Sequence, residues 1–301
     1  MYNQIDSNKR KTIILMMIFI IFIIFLGWVF YQIYPEYGYF PIAVAAIVAI
    51  LMSSISYFSG DKVALVASGA KQIEKSDSPY VYRLVENLCI TAGTPMPKVY
   101  IIQDSAMNAF ATGRDPEHAS IALTTGIIEG LENEELEGVI AHELSHIKNY
   151  DIRVMMIVVV LVGIIALITD WFLRAQLFGG NKRSSNSKGG GQLGVILMII
   201  GIVLAILSPI IAELIKLAIS RKREYLADAS GALLTRYPEG LAKALEKISA
   251  QSQSLQKASN ATAHLFIVNP FGAKAKKGIK KLWSTHPPIE ERVKALREMG
   301  N

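Results

Sequence analysis

Four long stretches without a charged residue constrain what this chain of 301 residues can fold into. They run from Lys11 to Glu36, from Glu36 to Asp61, from Arg153 to Asp170 and from Lys188 to Glu213. A helix that crosses a bilayer needs about 20 mostly apolar residues. Charged residues make up only 19% of the chain, against about 25% in a soluble domain. The sequence therefore predicts a membrane-anchored domain and argues against both a disordered chain and an ordinary soluble enzyme.

The first two stretches predict two membrane-spanning helices, from Ile13 to Tyr31 and from Tyr39 to Phe58. Pro35 lies between them and favours a tight turn, so the two helices should form a hairpin. A cleavable signal peptide is the alternative for the first segment. That segment is too long for a signal sequence, however, and a second span follows it without a small-residue cleavage site.

The flanking charges predict the orientation of this hairpin. Lys9, Arg10 and Lys11 precede the first helix, whereas the loop after it carries only Glu36. Because positively charged flanks stay on the cytoplasmic side, the N-terminus and the chain after the hairpin should face the cytoplasm. The single cysteine, Cys89, excludes an intrachain disulfide and suits a reducing compartment.

A second hydrophobic pair runs from Val154 to Thr169 and from Leu193 to Ala212. The first member has only 16 uncharged residues, which is marginal for a span. The loop between the two members is basic, and it would lie outside the cell if both crossed the membrane, against the positive-inside tendency. Two alternatives stay open: both segments span the bilayer, or they form a hydrophobic hairpin that enters it partly or packs against the other spans.

A His-Glu-x-x-His pattern at residues 142–146 predicts a metal site. The stretch from Asn133 to Tyr150 has apolar residues at helical spacing, and Asn133 is a residue type that caps helices. On a helix, His142 and His146 project from one face and can bind one metal ion, which leaves Glu143 to act on a metal-bound water. Two solvated histidines beside an unrelated glutamate are the alternative.

Glu224 and Asp228 are candidates to complete this site. A catalytic zinc ion usually takes three protein ligands, and Glu224 could be the third. Asp228 lies one helical turn later and could accept a hydrogen bond from the outer nitrogen of a ligand histidine. If the hydrophobic pair forms a hairpin, its two ends emerge on one side and the ligands can meet there. An ordinary charged helix beside the membrane is the alternative.

Taken in order, these motifs resemble the HtpX family of membrane-bound zinc endopeptidases, relatives of the eukaryotic prenyl-protein zinc protease. The resemblance covers essentially the whole chain. Besides the apolar segments it rests on five motifs: Asn-Ala-Phe-Ala-Thr-Gly at 108–113, His-Glu-Leu-Ser-His at 142–146 with Asn149 and Asp151 following, Ser-Arg-Lys-Arg-Glu-Tyr-Leu-Ala-Asp at 220–228, Ser-Thr-His-Pro-Pro at 284–288, and Glu291 with Arg292. It implies one Zn²⁺ per chain, bound by His142, His146 and Glu224, with Glu143 as the catalytic base.

The resemblance also implies a fold. We expect a mainly α membrane protein, in which transmembrane helices accompany a cytoplasmic α+β zincin-like metalloprotease domain with a small β-sheet. The N-terminal hairpin should cover residues 1–60, and the hydrophobic pair should cover residues 154–213. The catalytic domain should be built from residues 61–153 and 214–301, with the third zinc ligand in the second part.

The activity implied by the resemblance is hydrolysis of peptide bonds in misfolded or surplus membrane proteins and in unfolded polypeptides. Attack by a zinc-bound water, assisted by Glu143, would cut the chain. The setting would be membrane protein quality control and stress response at the bacterial plasma (inner) membrane. Processing of lipidated peptides and a non-enzymatic membrane scaffold are the alternatives. The former is disfavoured because that relative encloses a chamber with more spans than are available here.

Four further residues are candidates for contact with substrate or the transition state. The resemblance to the family's distal histidine suggests that His286 donates a hydrogen bond to the tetrahedral oxyanion. Arg221, Arg223 and Tyr225 are weaker candidates for that task or for binding substrate carbonyls. Ion pairs with nearby acids are the alternative for the two arginines, and a structural histidine at a helix start is the alternative for His286.

A sheet edge is predicted to bind the substrate. The segments from Lys98 to Gln103 and from Ser120 to Thr125 are β-prone, with a turn at Asp115 and Pro116 between them. An extended peptide could add itself to such a sheet as a further strand. Asn108 and Ala109, in the motif shared with the family, would lie near that edge, and a tight turn is the alternative role for Asn108.

Five lysines from Lys274 to Lys281 form a basic run, with Ile279, Leu282 and Trp283 interleaved. Beside a membrane anchor, this run is expected to contact anionic lipid headgroups, which also explains the formal charge of +6. Nucleic acid is not expected as a partner, and a solvated basic face is the alternative. His118 and His264 are not expected to be metal ligands.

Overall fold

The computed structural model describes residues 2–164, 220–251, 253–257, 262–271 and 287–300. Two long helices, α1 (Tyr2–Ile33) and α2 (Phe40–Ala67), form the predicted hairpin. A 3₁₀ turn over Pro35–Tyr37 joins them, and Gly38 after this turn has a φ of +55°, a region that favours glycine. Both helices extend past the predicted spans, because the charged residues beyond the apolar segments are helical as well.

The hairpin has the surface of a membrane anchor. Both helices are long and apolar enough to cross a membrane, yet only 22% and 17% of their most apolar windows are buried. A soluble protein would cover so large an apolar surface. Exposed aromatic side chains gather at the turn end of the hairpin, where they suit a membrane–water interface: Trp28, Phe30, Tyr37, Tyr39 and Phe40.

Helix α6 (residues 151–164) begins the second hydrophobic pair and packs against the hairpin. Its apolar side chains are buried in one cluster with Leu15, Phe19 and Ile23 of α1. A Cβ atom on Gly60 of α2 would lie 2.8 Å from Cγ of Met156, which shows how closely α2 and α6 approach. The rest of this pair, including all of the segment from Leu193 to Ala212, lies outside the described residues, so whether the pair spans the membrane stays a prediction.

The sheet has four strands in the order β1-β2-β4-β3. They are β1 (Ala70–Gln72), β2 (Lys98–Ile102), β3 (Ala109–Gly113) and β4 (Ala119–Thr124). Strands β2 and β4 match the two β-prone segments and pair in parallel in the middle of the sheet. Neither of them is therefore an edge of the sheet. The two edges are β1 and β3, which the sequence did not predict, and β3 pairs antiparallel with β4.

Six further helices build the catalytic part of the molecule. They are α3 (Pro79–Ala92), α4 (Thr125–Gly130), α5 (Asn133–Lys148), α7 (Arg221–Thr235), α8 (Pro238–Ala250) and α9 (Ile289–Met299). Helix α5 lies at the centre and contacts α3, α7, α8 and β3. The division into domains stays a prediction, and α2 runs without a break through the boundary expected at residue 60.

The start of α5 differs from the sequence prediction. Asn133 is its first helical residue, and the cap is Glu132, one residue earlier. Glu132 and Glu135 form a reciprocal capping box, in which Oε2 of Glu135 accepts a hydrogen bond from the backbone N–H of Glu132 at 2.9 Å. Two side chains thus satisfy two N–H groups at the helix start, whereas Asn133 alone would satisfy one. The Asn133 amide instead donates to Oε1 of Glu137.

A glycine sets the distance between α5 and α7. A Cβ atom on Gly231 of α7 would lie 3.0 Å from the backbone nitrogen of His142 in α5. Because this neighbour is backbone, it cannot turn aside as a flexible side chain could. Glycine at this position therefore allows α7 to lie directly against the stretch of α5 that carries the His-Glu-x-x-His pattern.

Candidate metal centre

Helices α5 and α7 bring three ligand atoms together. Nε2 of His142 and Nε2 of His146 are 3.2 Å apart. Oε2 of Glu224 lies 3.8 Å from Nε2 of His142, and its other oxygen, Oε1, lies 3.6 Å from Nε2 of His146. All three side chains are buried. Ligand atoms that surround a tetrahedral zinc ion at about 2.0–2.2 Å are separated from one another by about 3.3–3.6 Å. The ligand atoms of the three side chains all lie within 4.8 Å of one another, so these side chains are close enough together to hold one metal ion.

The outer nitrogen of each histidine faces a carboxylate. Nδ1 of His142 lies 2.9 Å from Oδ1 of Asp228, and Nδ1 of His146 lies 3.1 Å from Oδ2 of Asp151. A carboxylate in this position keeps the proton on Nδ1, so each Nε2 carries a lone pair. Two lone pairs directed into one small space repel each other unless a cation lies between them. The donor set thus fits a metal ion.

Arg292 of α9 stabilises this arrangement through its contact with Asp228. It is completely buried, and its Nε and Nη2 donate hydrogen bonds to the two oxygens of Asp228 at 2.8 Å and 2.6 Å. Burial works against the Asp228 carboxylate, but the charge of Arg292 outweighs it and lowers the pKa of Asp228 to about 2. Asp228 therefore remains an acceptor for His142. Nη1 of Arg292 also lies 3.7 Å from Glu224.

Glu143 lies beside the ligands and next to the sheet. Its side chain is only 2% exposed, and burial raises the pKa of Glu143 to about 7. The nearby His146 ring and the backbone N–H of Ala111 in β3 oppose this shift. A carboxyl group with a pKa near neutrality can both accept a proton and return it. The edge strand β3 and the general-base candidate are thus in direct contact.

Residues 75–300 match the sequence model of Peptidase family M48. The chain belongs to this family. It is 45% identical to the protease HtpX homolog of Tropheryma whipplei strain Twist, over 100% of this chain and 99% of that protein. It is 44% identical to the protease HtpX homolog of Dictyoglomus thermophilum, over 99% of this chain and 95% of that protein.

Among solved structures, the crystal structure of S. mikatae Ste24p has the same fold. The TM-score is 0.50 at 19% sequence identity, and the match covers 98% of this chain and 67% of the other. Together with the apolar hairpin, these relationships confirm the predicted resemblance and the predicted fold class. The chain is a membrane metallopeptidase of family M48, and its reaction depends on a metal ion.

The other predicted site residues of this M48 peptidase lie in three different settings. Arg223 is buried, and its Nη1 donates to Oδ1 of Asn8 at 3.1 Å while its Nε lies 3.4 Å from Asp151. Arg223 thus has the ion pair that was the alternative for it, and its contact with substrate stays a prediction. The Tyr225 hydroxyl donates to Glu291 at 2.9 Å, and Arg221 is exposed at the start of α7. Substrate contacts by Tyr225 and Arg221 stay predictions.

Asn108 and Ala109 lie at the start of the edge strand β3. The Asn108 amide donates to the carbonyl of Val268 at 3.0 Å, and the carbonyl of Ala109 accepts from the N–H of Ile267 at 3.1 Å. Ile267 and Val268 therefore lie against this end of β3. Asn108 and Ala109 are at a sheet edge, as expected, although the strand that forms the edge differs from the prediction.

Two predicted features lie outside the described residues: His286, and the basic run from Lys274 to Lys281. Of the other histidines, His118 is exposed and pairs with Asp115, while Nε2 of His264 lies 3.3 Å from the carbonyl of Met155. Neither belongs to the group of three metal-ligand candidates that the described residues contain.

Sequence reasoning assigned no role to Asp151 or Arg292. The position of Asp151 in the sequence could have indicated its role. It follows His146 by five residues, and a turn after the helix can fold its carboxylate back toward that histidine. Arg292 carried no such signal, because an arginine that follows two glutamates on an amphipathic helix is usually solvated.

Proposed function

We propose that this M48 peptidase is a zinc endopeptidase that cuts misfolded or surplus membrane proteins and unfolded polypeptides at the cytoplasmic face of the bacterial plasma (inner) membrane. The observation that supports the proposal most is the convergence of His142, His146 and Glu224 beside Glu143, on a domain packed against an apolar hairpin.

Zinc is the metal that this donor set favours. Two imidazole nitrogens and one carboxylate form a known set of catalytic zinc ligands, and they leave one coordination position for water or substrate. We therefore propose one Zn²⁺ per chain. When bound, the ion polarises the scissile carbonyl and makes a water at the site more acidic.

The residues of the chain would move the protons. Glu143 takes a proton from the attacking water on its carboxylate and later delivers it to the nitrogen of the leaving amine. Asp228 and Asp151 hold the protons on the outer nitrogens of the two histidines, so that both Nε2 atoms face inward. His286 remains our candidate for donating a hydrogen bond to the oxyanion, as the family resemblance implies.

The edge of β3 is the proposed substrate-binding strand. Because the N–H of Ala111 faces Glu143, a peptide whose carbonyl took the place of the Glu143 carboxylate at this N–H would lie beside the general base. Main-chain hydrogen bonds would supply most of the affinity, with little sequence preference. This suits a protease whose substrates are unfolded chains of varied sequence.

A contact between α1 and the site supports the proposed cytoplasmic side of the membrane. Asn8, next to the basic residues that precede the first apolar segment, donates to Oδ1 of Asp151 at 2.7 Å. The site thus lies on the same side of the bilayer as Lys9, Arg10 and Lys11, and positively charged flanks stay cytoplasmic. Contact of the lysines between Lys274 and Lys281 with anionic headgroups on that side stays part of the proposal.

The test compares the full chain with its Glu143→Ala variant in detergent and in vesicles. Both proteins are incubated with a panel of membrane proteins and unfolded soluble proteins, and the products are sequenced. We expect internal cleavage of both substrate classes by the wild type and none by the variant. Equal cleavage by both proteins would overturn the mechanism. Cleavage confined to lipidated C-terminal peptides would favour the processing alternative, and no cleavage by metal-loaded protein would favour the scaffold.

A further inference from the structure

We propose that Asn8, in the membrane helix α1, is a positioning residue for the metal centre: it holds Asp151, and Asp151 orients the ligand candidate His146. The inference rests on the proposed metal site. It gives the N-terminal hairpin a part in the active site in addition to its part as an anchor.

The side-chain amide of Asn8 is fully buried, and all of its hydrogen-bonding groups have partners. Its Nδ2 donates to Oδ1 of Asp151 at 2.7 Å and to the backbone carbonyl of Asn149 at 2.8 Å. Its Oδ1 accepts from Nη1 of Arg223 at 3.1 Å. An amide offers two N–H donors and one oxygen, and here each of them has a partner. A carboxylate has no donor for the first two contacts, and an apolar side chain has neither donor nor acceptor.

The contact continues from Asp151 to the metal ligand. Oδ1 of Asp151 accepts the hydrogen bond from Asn8. Oδ2 of Asp151 lies 3.1 Å from Nδ1 of His146. The position of its carboxylate therefore sets the rotation of the His146 ring, and with it the direction of the Nε2 lone pair. Asn8 does not touch the metal-ligand atoms and acts through Asp151.

The backbone between His146 and Asp151 needs outside support. Tyr150 has a φ of +60°, a left-handed conformation that costs energy for a residue with a side chain. This turn folds Asp151 back toward the helix that carries the ligands. The two hydrogen bonds donated by Asn8 end on Asn149 and Asp151, on either side of Tyr150. Asn8 thus fixes the one turn that places Asp151.

A stripe of buried residues along α1 holds Asn8 in this position. Every third or fourth residue on one face is buried against the rest of the molecule: Asn8, Thr12, Leu15, Phe19 and Ile23. The apolar members pack in one cluster with α6, which begins at Asp151. The stripe ends in a polar residue at the point where it reaches the turn beside the metal centre. A helix that only anchored the domain would have no need of an amide there.

The test uses the full chain in detergent micelles with Asn8→Ala, the isosteric Asn8→Asp, and Thr12→Val as the matched control. Thr12 is buried one turn further along the same face, and its hydroxyl donates to the backbone carbonyl of Asn8, not to Asp151. Zinc affinity is measured by competition with a chelator, and the ligand field by the absorption spectrum of the Co²⁺-loaded protein. Thermal unfolding in EDTA reports folding without metal.

We expect both Asn8 variants to bind zinc about tenfold more weakly and to show a shifted Co²⁺ spectrum, as is usual when a partner of a ligand histidine is disturbed. Thr12→Val should match the wild type in both readings. Asn8→Ala should cause no further loss in an Asp151→Ala background, because both changes remove the same contact.

Three results would overturn the inference: zinc affinity and Co²⁺ spectrum unchanged in folded Asn8 variants, an equal loss in Thr12→Val, or full additivity of Asn8→Ala with Asp151→Ala. If Asn8→Ala does not fold, Asn8→Ser replaces it, since it keeps one donor and removes less volume. A wild-type protein that binds no zinc would contradict the proposed metal site itself, which separates that failure from failure of the role of Asn8.

Discussion

Arg292 donates hydrogen bonds to both carboxylate oxygens of Asp228, at 2.8 Å and 2.6 Å, inside a region that water does not reach. The pair joins the last described helix to the helix that supplies Glu224. Because Asp228 faces the outer nitrogen of His142, the position of α9 bears on the orientation of a metal-ligand candidate.

Replacing Arg292 should therefore affect both stability and activity. Arg292→Leu leaves the buried Asp228 carboxylate without its partner, and we expect a loss of about 3–5 kcal/mol in the free energy of unfolding. Activity should fall by about 10- to 100-fold in the protein that still folds. Thermal unfolding in detergent and peptidase assays measure the two effects.

Arg297→Leu is the matched control for this change. Arg297 lies on the same helix and pairs with Glu239 and Glu246, but its side chain is 45% exposed. Exposed pairs contribute little, so this variant should resemble the wild type. Equal effects of the two substitutions would contradict the role assigned to Arg292.

Gly231→Ala should weaken metal binding without touching a ligand. The added Cβ would lie 3.0 Å from the backbone nitrogen of His142 and 3.3 Å from the carbonyl carbon of Ala141, so α7 must move away from α5. Overpacking of this kind costs about 1–3 kcal/mol. Zinc affinity should fall because Glu224 moves with α7.

Leu233→Ala, at a position 71% exposed on the same helix, should leave zinc affinity unchanged. Normal zinc affinity in Gly231→Ala would show that the distance between the two helices does not limit the site.

Cys89 should be unreactive in the folded protein. Burial raises the pKa of the Cys89 thiol to about 11, although the nearby Thr94 side chain works in the opposite direction. At pH 8 the reactive thiolate is then scarce, and α3 and its neighbours cover the sulfur. We expect a thiol-reactive disulfide reagent to modify native protein at least about 100-fold more slowly than protein unfolded in SDS. Rapid modification of the native protein would show that this part of the core opens readily.

The histidine pair could be predicted from the sequence because its geometry is local. Positions 142 and 146 share a helix face whatever surrounds them. Glu224 could be assigned only through the family resemblance and the expected hairpin, since its distance from the histidines depends on how α5 and α7 pack. Arg292 escaped prediction for a similar reason: only its distant partner, Asp228, makes burial of its charge favourable.

Strand β3 shows how tertiary contacts override local preference. Its sequence, Ala-Phe-Ala-Thr-Gly, contains residues of low β-propensity, and it is a strand because β4 lies beside it in antiparallel register. The strands β2 and β4 contain β-branched residues and were therefore visible in the sequence. The sheet edge proposed to bind substrate therefore had a weak local signal in the sequence.

The zinc content of the purified full chain tests the central claim most directly. After addition of zinc and removal of the excess, the wild type and Glu143→Ala should each retain about one Zn²⁺ per chain, whereas Glu224→Ala, which lacks one of the three ligands, should retain much less. Only the wild type of these three should cleave an unfolded substrate. A wild-type protein that stays metal-free, or a Glu224→Ala variant that holds zinc as tightly as the wild type, would contradict the account.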